Sequence, residues 1–156
     1  MIYPPTVAAT TQRGIRSQRM AHTTVALQVI KPEQRVDEQA SGSMLRKAAI
    51  AQGTVGAQKI WLGYVELPPA CTSAVHHHGE AESGIYIISG TARFYTGDAL
   101  DQRHEAQAGD FVWVPPNVVH VEMNTSHSEP VQMVVARSTQ QALTFNLPTP
   151  EGWRPG

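Results

Sequence analysis

Histidine is the residue type in this sequence whose spacing most strongly indicates chemistry. Three of the seven histidines are consecutive, at His76, His77 and His78. Successive side chains of a β-strand point to opposite faces, so His76 and His78 share one face and His77 points away. Two imidazoles at this spacing can bind one metal ion. An isolated pair of this kind is also typical of a solvated strand end, so further residues are needed to choose between these interpretations.

The elements that must position these histidines are short strands. Only 16% of the residues are charged, against roughly 25% in a typical soluble domain, and glycine, proline, threonine, serine and alanine fill the difference. Short apolar runs separated by turn residues at intervals of about eight to twelve residues indicate an all-β sandwich or barrel. The predicted strands are Lys59–Leu67, Ser73–His78, Ile85–Ser89, Thr91–Tyr95, Phe111–Val114, Val118–Asn124 and Val131–Arg137.

Two further segments precede these strands. Thr24–Ile30 has the composition of a first strand, and Met44–Ala51 consists of good helix formers that predict one or two helical turns. The predicted organisation is a flexible arm over residues 1–20, one β-barrel domain over 21–145 with its core at 55–137, and an extended proline-rich tail over 146–156.

Length, charge and cysteine content exclude several classes of protein. A chain of 156 residues is long enough for one compact domain. A formal net charge of −1 argues against a nucleic-acid partner or an anionic membrane surface. No apolar run approaches the roughly 18 residues of a membrane span, and the lone Cys71 excludes an internal disulfide. The expected location is the cytoplasm.

A second informative segment, GDFVWVPPNVVHVEMN, runs from Gly109 to Asn124. With the histidine segment it resembles the two signature motifs of the cupin superfamily. The second cupin motif is a glycine, five residues, a proline, one residue, a glycine, two residues, a histidine, three residues and an asparagine. Asn117 replaces the inner glycine, and asparagine tolerates the left-handed turn that a glycine would adopt there. The matching residues are Gly109, Pro115, His120 and Asn124.

The first cupin motif is a His-x-His pair, three or four residues, a glutamate, six residues and a glycine. His76, His78 and Gly90 match it. The glutamate position is ambiguous, because counting forward from His78 gives Glu82 whereas counting back from Gly90 gives Ser83.

A β-bulge at Gly84 would absorb the extra residue and keep Glu82 as a ligand. Without a bulge, Ser83 would share a face with Ile85, and Glu82 would point outward. The site would then have three histidines alone, or another acid would join them. Strand alternation places Glu122 on the face of His120, so Glu122 is a candidate for that acid or for a general base.

The resemblance implies a jelly-roll barrel, also called a double-stranded β-helix, with a metal ion inside its mouth. It implies a site of three histidines and one glutamate for a divalent transition metal, which in cupins is commonly Fe, Mn, Ni, Zn or Cu. The implied ligands are His76, His78, Glu82 and His120.

The function expected from this resemblance is metal-dependent catalysis on a small organic molecule, of the dioxygenase, isomerase, cyclase or lyase type. A non-catalytic cupin that binds or senses a small ligand is the main alternative. A storage or structural barrel is disfavoured because all three histidines are present. Small cupins frequently form homodimers through edge strands, and Thr24–Ile30 is a candidate for that contact. Neither a nucleic acid nor a membrane is expected as a partner.

Overall fold

Strands dominate the computed structural model, which describes residues 26–140 and 143–156. A 3-10 turn at Pro32–Gln34 and a single α-helical turn, α1 at Gln52–Val55, interrupt them. The strands are β1 Val36–Glu38, β2 Leu45–Ile50, β3 Trp61–Leu67, β4 His76–His77, β5 Ser83–Ser89, β6 Thr91–Thr96, β7 Gln102–Gln107, β8 Phe111–Val114, β9 His120–Asn124, β10 Val131–Arg137 and β11 Phe145–Asn146.

The strands form two antiparallel sheets. The six-stranded sheet has the order β1-β2-β3-β10-β5-β8, and the five-stranded sheet has the order β11-β4-β9-β6-β7. Sequence neighbours such as β4 and β5 lie in different sheets, so the chain crosses repeatedly from one layer to the other. This is the jelly-roll arrangement of an all-β barrel, and the predicted fold class is confirmed.

The core between the sheets follows directly from strand alternation. Every second residue of β3, β5 and β10 is buried, as expected for strands with one face toward a core. Buried residues on these strands include Trp61, Leu67, Ile87, Val131 and Met133. A smaller apolar cluster lies on the other face of the five-stranded sheet, where Val121 packs with Leu100 and Trp153.

Each of the seven strands predicted between Lys59 and Arg137 overlaps an observed strand. The helix predicted at Met44–Ala51 is wrong, because this segment contains β2, which pairs with both β1 and β3. Arg46 and Ala48 are buried while Leu45 and Lys47 are exposed, which is the alternation of a strand. Helix propensity is a weak preference that pairing with neighbouring strands overrides.

The ends of the chain are only partly described. The arm predicted at residues 1–20 lies outside the described residues, as do positions 24 and 25 of the strand predicted at Thr24–Ile30. Residues 26–30 form no strand, and Leu27 and Val29 are exposed. Near the other end, Trp153 donates a hydrogen bond from Nε1 to the carbonyl of Leu100 at 3.1 Å. None of the helices in the described part has the length and apolar character of a membrane span.

Candidate metal centre

The three histidines of the cupin-like motifs converge inside the barrel. His76 of β4 is the direct cross-strand partner of His120 on β9, and His78 follows β4 by one residue on the same face. One nitrogen from each ring forms a set in which all atoms lie within 4.8 Å of one another. All three side chains are buried, with exposed fractions of 2%, 4% and 1% for His76, His78 and His120.

Backbone carbonyls fix the orientation of each ring. Nδ1 of His76 lies 2.9 Å from the carbonyl oxygen of Ala74, and Nδ1 of His78 lies 2.9 Å from that of Leu143. Nδ1 of His120 is likewise 2.9 Å from the carbonyl of Val118. A carbonyl oxygen only accepts hydrogen bonds, so each Nδ1 carries the proton and each neutral ring keeps its lone pair on Nε2. This is the tautomer that a metal ligand needs.

A carboxylate joins the cluster from β9. Oε1 of Glu122 is 3.5 Å from Nε2 of His120, and Oε2 is 3.9 Å from Nε2 of His76. The Glu122 side chain is buried, and its backbone is held by Ser73, whose Oγ accepts a hydrogen bond from the Glu122 N–H at 2.9 Å. The prediction that Glu122 faces the barrel interior with His120 is therefore confirmed.

Burial and neighbouring charge control the protonation of the cluster. Burial lowers the pKa of His76, and burial together with the Arg137 guanidinium lowers the pKa of His78 to about 3. Burial also acts to lower the pKa of His120, but Glu122 outweighs it and the pKa is raised. Burial of Glu122 favours its neutral form, yet His76 and His120 hold the pKa of its carboxyl well below the ordinary value. A buried, ionised carboxylate beside imidazoles results.

The donor set fits a divalent transition metal. Nε2 of His120 and Oε2 of Glu122 are buried and have no hydrogen-bond partner among the described residues. Buried polar atoms are normally satisfied, and a metal ion would satisfy both of these. Three imidazoles and one carboxylate suit borderline ions of the Fe, Mn, Ni, Zn and Cu type.

Glu82, the predicted carboxylate ligand, does not join the histidines. Its side chain is exposed, whereas Ser83 is buried with an exposed fraction of 1%. The bulge expected at Gly84 is absent, since Ser83 pairs with Val114 on β8 and with Arg137 on β10 in an unbroken register at this end of β5. Strict alternation therefore turns Ser83 inward and Glu82 outward, which is the alternative without a bulge.

His77 lies outside the cluster, as strand alternation predicts. Its ring stacks on Phe145 of β11 with centroids 5.0 Å apart and an interplanar angle of 19°. Nδ1 of His77 accepts a hydrogen bond from the N–H of Gly79 at 3.1 Å. The middle histidine therefore packs against β11 on the outer side of β4.

The turn before His120 also has the predicted form. Asn117 adopts a left-handed conformation with φ of 61°, which is the region expected for the residue that replaces the motif glycine. Its side-chain amide donates to Oε1 of Glu80 at 2.7 Å, and its N–H donates to the carbonyl of Gly79 at 2.7 Å. These contacts tie the turn that leads into β9 to the loop that follows β4.

Residues that the sequence interpretation missed line a small cavity beside the histidines. The cavity is about 30 Å³, and Ser83, Arg46 and Arg137 line it together with His76 and His78. Alternation along Val131–Arg137 could have identified Arg137, because it occupies the same face as the buried residues of β10. Arg46 was missed because its segment was predicted to form a helix.

A larger cleft lies on another side of His120. Its volume is about 650 Å³, and its lining includes Phe94, Phe111, Trp113 and His120. His104 of β7 lies at the wall of this cleft. It is exposed, and its Nε2 is 3.2 Å from Oγ1 of Thr96. Exposed aromatic side chains on β8, Phe111 and Trp113, form part of the wall of this cleft.

Comparison with known proteins agrees with this geometry. The family model for the cupin domain matches residues 63–137. The chain is similar in structure to the polyketide cyclase RemF from Streptomyces resistomycificus, with a TM-score of 0.66 and 17% sequence identity over 81% of this chain and 89% of that one. A search of curated proteins found no match.

Two other solved structures share the fold. A double-stranded β-helix protein of uncharacterised function from Klebsiella pneumoniae has a TM-score of 0.61 and 20% identity, over 79% of this chain and 99% of that one. The oxalate decarboxylase from Lactobacillus farciminis, in its formate complex, has a TM-score of 0.64 and 20% identity, over 74% of this chain but only 34% of that one. The two sheets, the motif histidines, the family model and these shared folds together identify residues 63–137 as a cupin domain.

Proposed function

We propose that this cupin is a metal-dependent enzyme that acts on a small organic molecule. The observation that carries the proposal is the convergence of three buried imidazoles, each with Nδ1 bound to a backbone carbonyl, so that Nε2 carries the lone pair when the ring is neutral. Three separate hydrogen bonds that all select the same tautomer go beyond what a solvated strand end requires.

The proposed ligands are His76, His78, His120 and Glu122. Glu122 replaces Glu82 in this role because its carboxylate oxygens approach two of the Nε2 atoms, at 3.5 and 3.9 Å. We favour Glu122 as a ligand over the general base because its carboxylate oxygens lie beside the Nε2 atoms of His76 and His120. The proposed ion is Fe, Mn, Ni, Zn or Cu, as the imidazole and carboxylate donors suit all five.

When bound, such an ion supplies Lewis acidity or lowers the pKa of a coordinated water. The residues of this chain supply the rest of the site. The carbonyls of Ala74, Leu143 and Val118 orient the rings, and Ser73 holds the backbone of Glu122. Apolar walls limit the access of water to the cluster, because Met133, Val135 and Ile85 of the six-stranded sheet are buried in the adjoining core.

Small organic substrates are proposed because solved structures with this fold include a polyketide cyclase and an oxalate decarboxylase. A cupin that binds a small ligand without turnover is the second candidate. The observation that favours it is the small volume of the cavity at the histidines, about 30 Å³, which leaves little room for a substrate to rearrange. The homodimer stays a prediction.

Turnover separates the two candidates. Protein loaded with each candidate metal should be tested against panels of small carboxylic acids, sugars and phenols, with oxygen consumption and mass spectrometry of products as readouts. The enzyme proposal expects a product that forms only with metal present and that disappears in His120→Ala. Tight binding of a compound with no product under any metal would support the non-catalytic candidate and contradict catalysis.

A further inference from the structure

Arg137 is a buried cation beside the proposed metal ligands. It is the last residue of β10, its exposed fraction is 7%, and it lines the same small cavity as His76, His78 and Ser83. Burial lowers its pKa to about 10, so the guanidinium is still charged at neutral pH. Burying a charge is costly unless it is paired, so Arg137 requires nearby groups that stabilise its charge.

The protein satisfies this guanidinium only in part. Nη1 donates to the carbonyl of Leu143 at 3.2 Å, the carbonyl that also receives Nδ1 of His78. The guanidinium lies over the ring of Trp61 at 5.4 Å. Among residues 26–140 and 143–156, Nε has no hydrogen-bond partner and no carboxylate oxygen is within 4.0 Å of Arg137.

Neighbouring groups add donors and positive charge. Arg46 lies over the same indole ring of Trp61 at 5.5 Å, and its counter-ion is Glu38 at 3.3 Å. The hydroxyl of Ser83 is buried and also has no hydrogen-bond partner in the described part of the chain. Ser83 stands where the cupin motif, counted back from its closing glycine, has a glutamate. This chain thus presents a hydroxyl and a guanidinium where an acid is expected.

The position of Arg137 also matters for an ion at the histidines. Its Nη2 donates a long hydrogen bond of 3.5 Å to Nε2 of His78, and this Nε2 is the atom proposed to bind the metal. A metal ion bound to this nitrogen would lie close to the guanidinium, and two neighbouring cations repel each other strongly in a buried site. An anion placed between them would remove the repulsion and would also provide the acceptor that Arg137 Nε and Ser83 Oγ lack.

We propose that the centre binds a small anion, the carboxylate group of its substrate, between the Arg137 guanidinium and the metal ion. This inference rests on the proposed function and names its substrate class as small carboxylates. The guanidinium fork matches the two oxygens of a carboxylate, and Ser83 Oγ–H is a further donor. The cavity is small, about 30 Å³, so the carboxylate end must be small and unbranched.

Formate and formamide, which have nearly the same size and differ in charge, are the probes that test this proposal. Cobalt(II)-loaded protein should be titrated with each, with binding followed by calorimetry and by the visible spectrum of the cobalt. We expect formate to bind and change the spectrum, and formamide to do neither. Arg137→Gln should weaken formate binding by at least about tenfold, the effect of losing a charge-assisted hydrogen bond, and Arg137→Lys should fall between.

Arg103→Gln is the matched control, because Arg103 is an exposed arginine on β7 and its loss should leave formate affinity unchanged. Thermal unfolding reports whether each variant folds. If Arg137→Gln does not, Arg137→Lys and Ser83→Ala carry the test, and both should bind formate more weakly than the unchanged protein.

Cobalt content, measured on every sample, separates the two proposals. If the variants retain cobalt and bind formate as tightly as the unchanged protein, the anion site is refuted and the metal site stands. If the unchanged protein takes up no cobalt, the proposed function fails. Formate titration of the metal-free protein then decides the role of Arg137 alone, with weaker binding by Arg137→Gln supporting it and equal binding overturning it.

Discussion

In sequence Glu82 follows His78 and Glu122 follows His120, but the fold places Glu122 inside the barrel and Glu82 on its outer surface. Glu122 on β9 is buried beside His76 and His120, with an exposed fraction of 3%. Glu82, one residue before β5, is exposed, and Ser83 takes the inward position. The difference shows that motif spacing alone does not decide which acid reaches the site.

The physical reason is strand parity. Shifting a strand by one residue moves every side chain to the opposite face, and β5 runs from Ser83 with an unbroken pairing to β8. Ile85 and Ile87 must face the core, so Ser83 must face it too. A bulge that brought Glu82 inward would have to disrupt the pairing of β5 with its neighbours.

The largest expected loss of metal affinity comes from replacing the three clustered histidines. His76→Ala, His78→Ala and His120→Ala should each weaken metal binding by more than about 100-fold, beyond the 10–100-fold typical of outer partners. His77→Ala is the control, since its ring stacks on Phe145. Affinity is measured by competition with a chelator of known strength. A loss in His77→Ala equal to that in His78→Ala would contradict the assignment of faces.

Moving the carboxylate from β9 to β5 tests which side chains of β5 face the interior of the barrel. In a Glu122→Gln background, Ser83→Glu should recover about tenfold in metal affinity, because position 83 faces the cavity that His76 and His78 line. A tenfold gain is at the lower end of the roughly 10–100-fold change in metal affinity that follows the loss of an orienting partner.

Gly84→Glu in the same background is the matched control for this rescue. Gly84 is exposed, and an added Cβ there would meet nothing within 4 Å, so the new acid should point outward. Recovery in Gly84→Glu, or none in Ser83→Glu when the protein folds normally, would show that β5 has a different register from the one described.

A smaller effect is expected on the pH dependence of stability in metal-free protein. Burial and Arg137 lower the pKa of His78 to about 3, whereas an unfolded histidine titrates near 6.5. As the pH falls from 6.5 toward 3, the unfolded state takes up a proton that the folded state refuses, so stability decreases. Urea midpoints of His78→Gln should fall less steeply over this window than those of the unchanged protein. Parallel curves would contradict the buried, neutral state of His78.

The sequence predicted most of the strands because their apolar alternation is strong, as in β3 and β10. It missed β7, whose residues are nearly all polar and exposed, since pairing with β6 rather than a buried face defines it. The helix predicted where β2 lies was wrong for a related reason. Its residues favour helices locally, and only the neighbouring strands make it extended.

The candidate site was predictable to a similar degree. His76, His78 and His120 follow from the motif spacing, and Glu122 follows from alternation with His120. The carbonyl that orients His78 belongs to Leu143, far along the chain, and no local pattern signals such a contact. Ser83 and Arg137 could have been placed from parity alone, once the register of β5 and β10 was taken as unbroken.

The most direct test of the central claim is the metal affinity of Glu122→Gln compared with Glu82→Gln. Both changes remove one carboxylate charge and keep the size of the side chain, so they differ only in position. With Glu122 as the ligand, Glu122→Gln should weaken metal binding by at least about tenfold, and Glu82→Gln should leave it unchanged. Weaker binding in Glu82→Gln, with Glu122→Gln equal to the unchanged protein, would contradict the account.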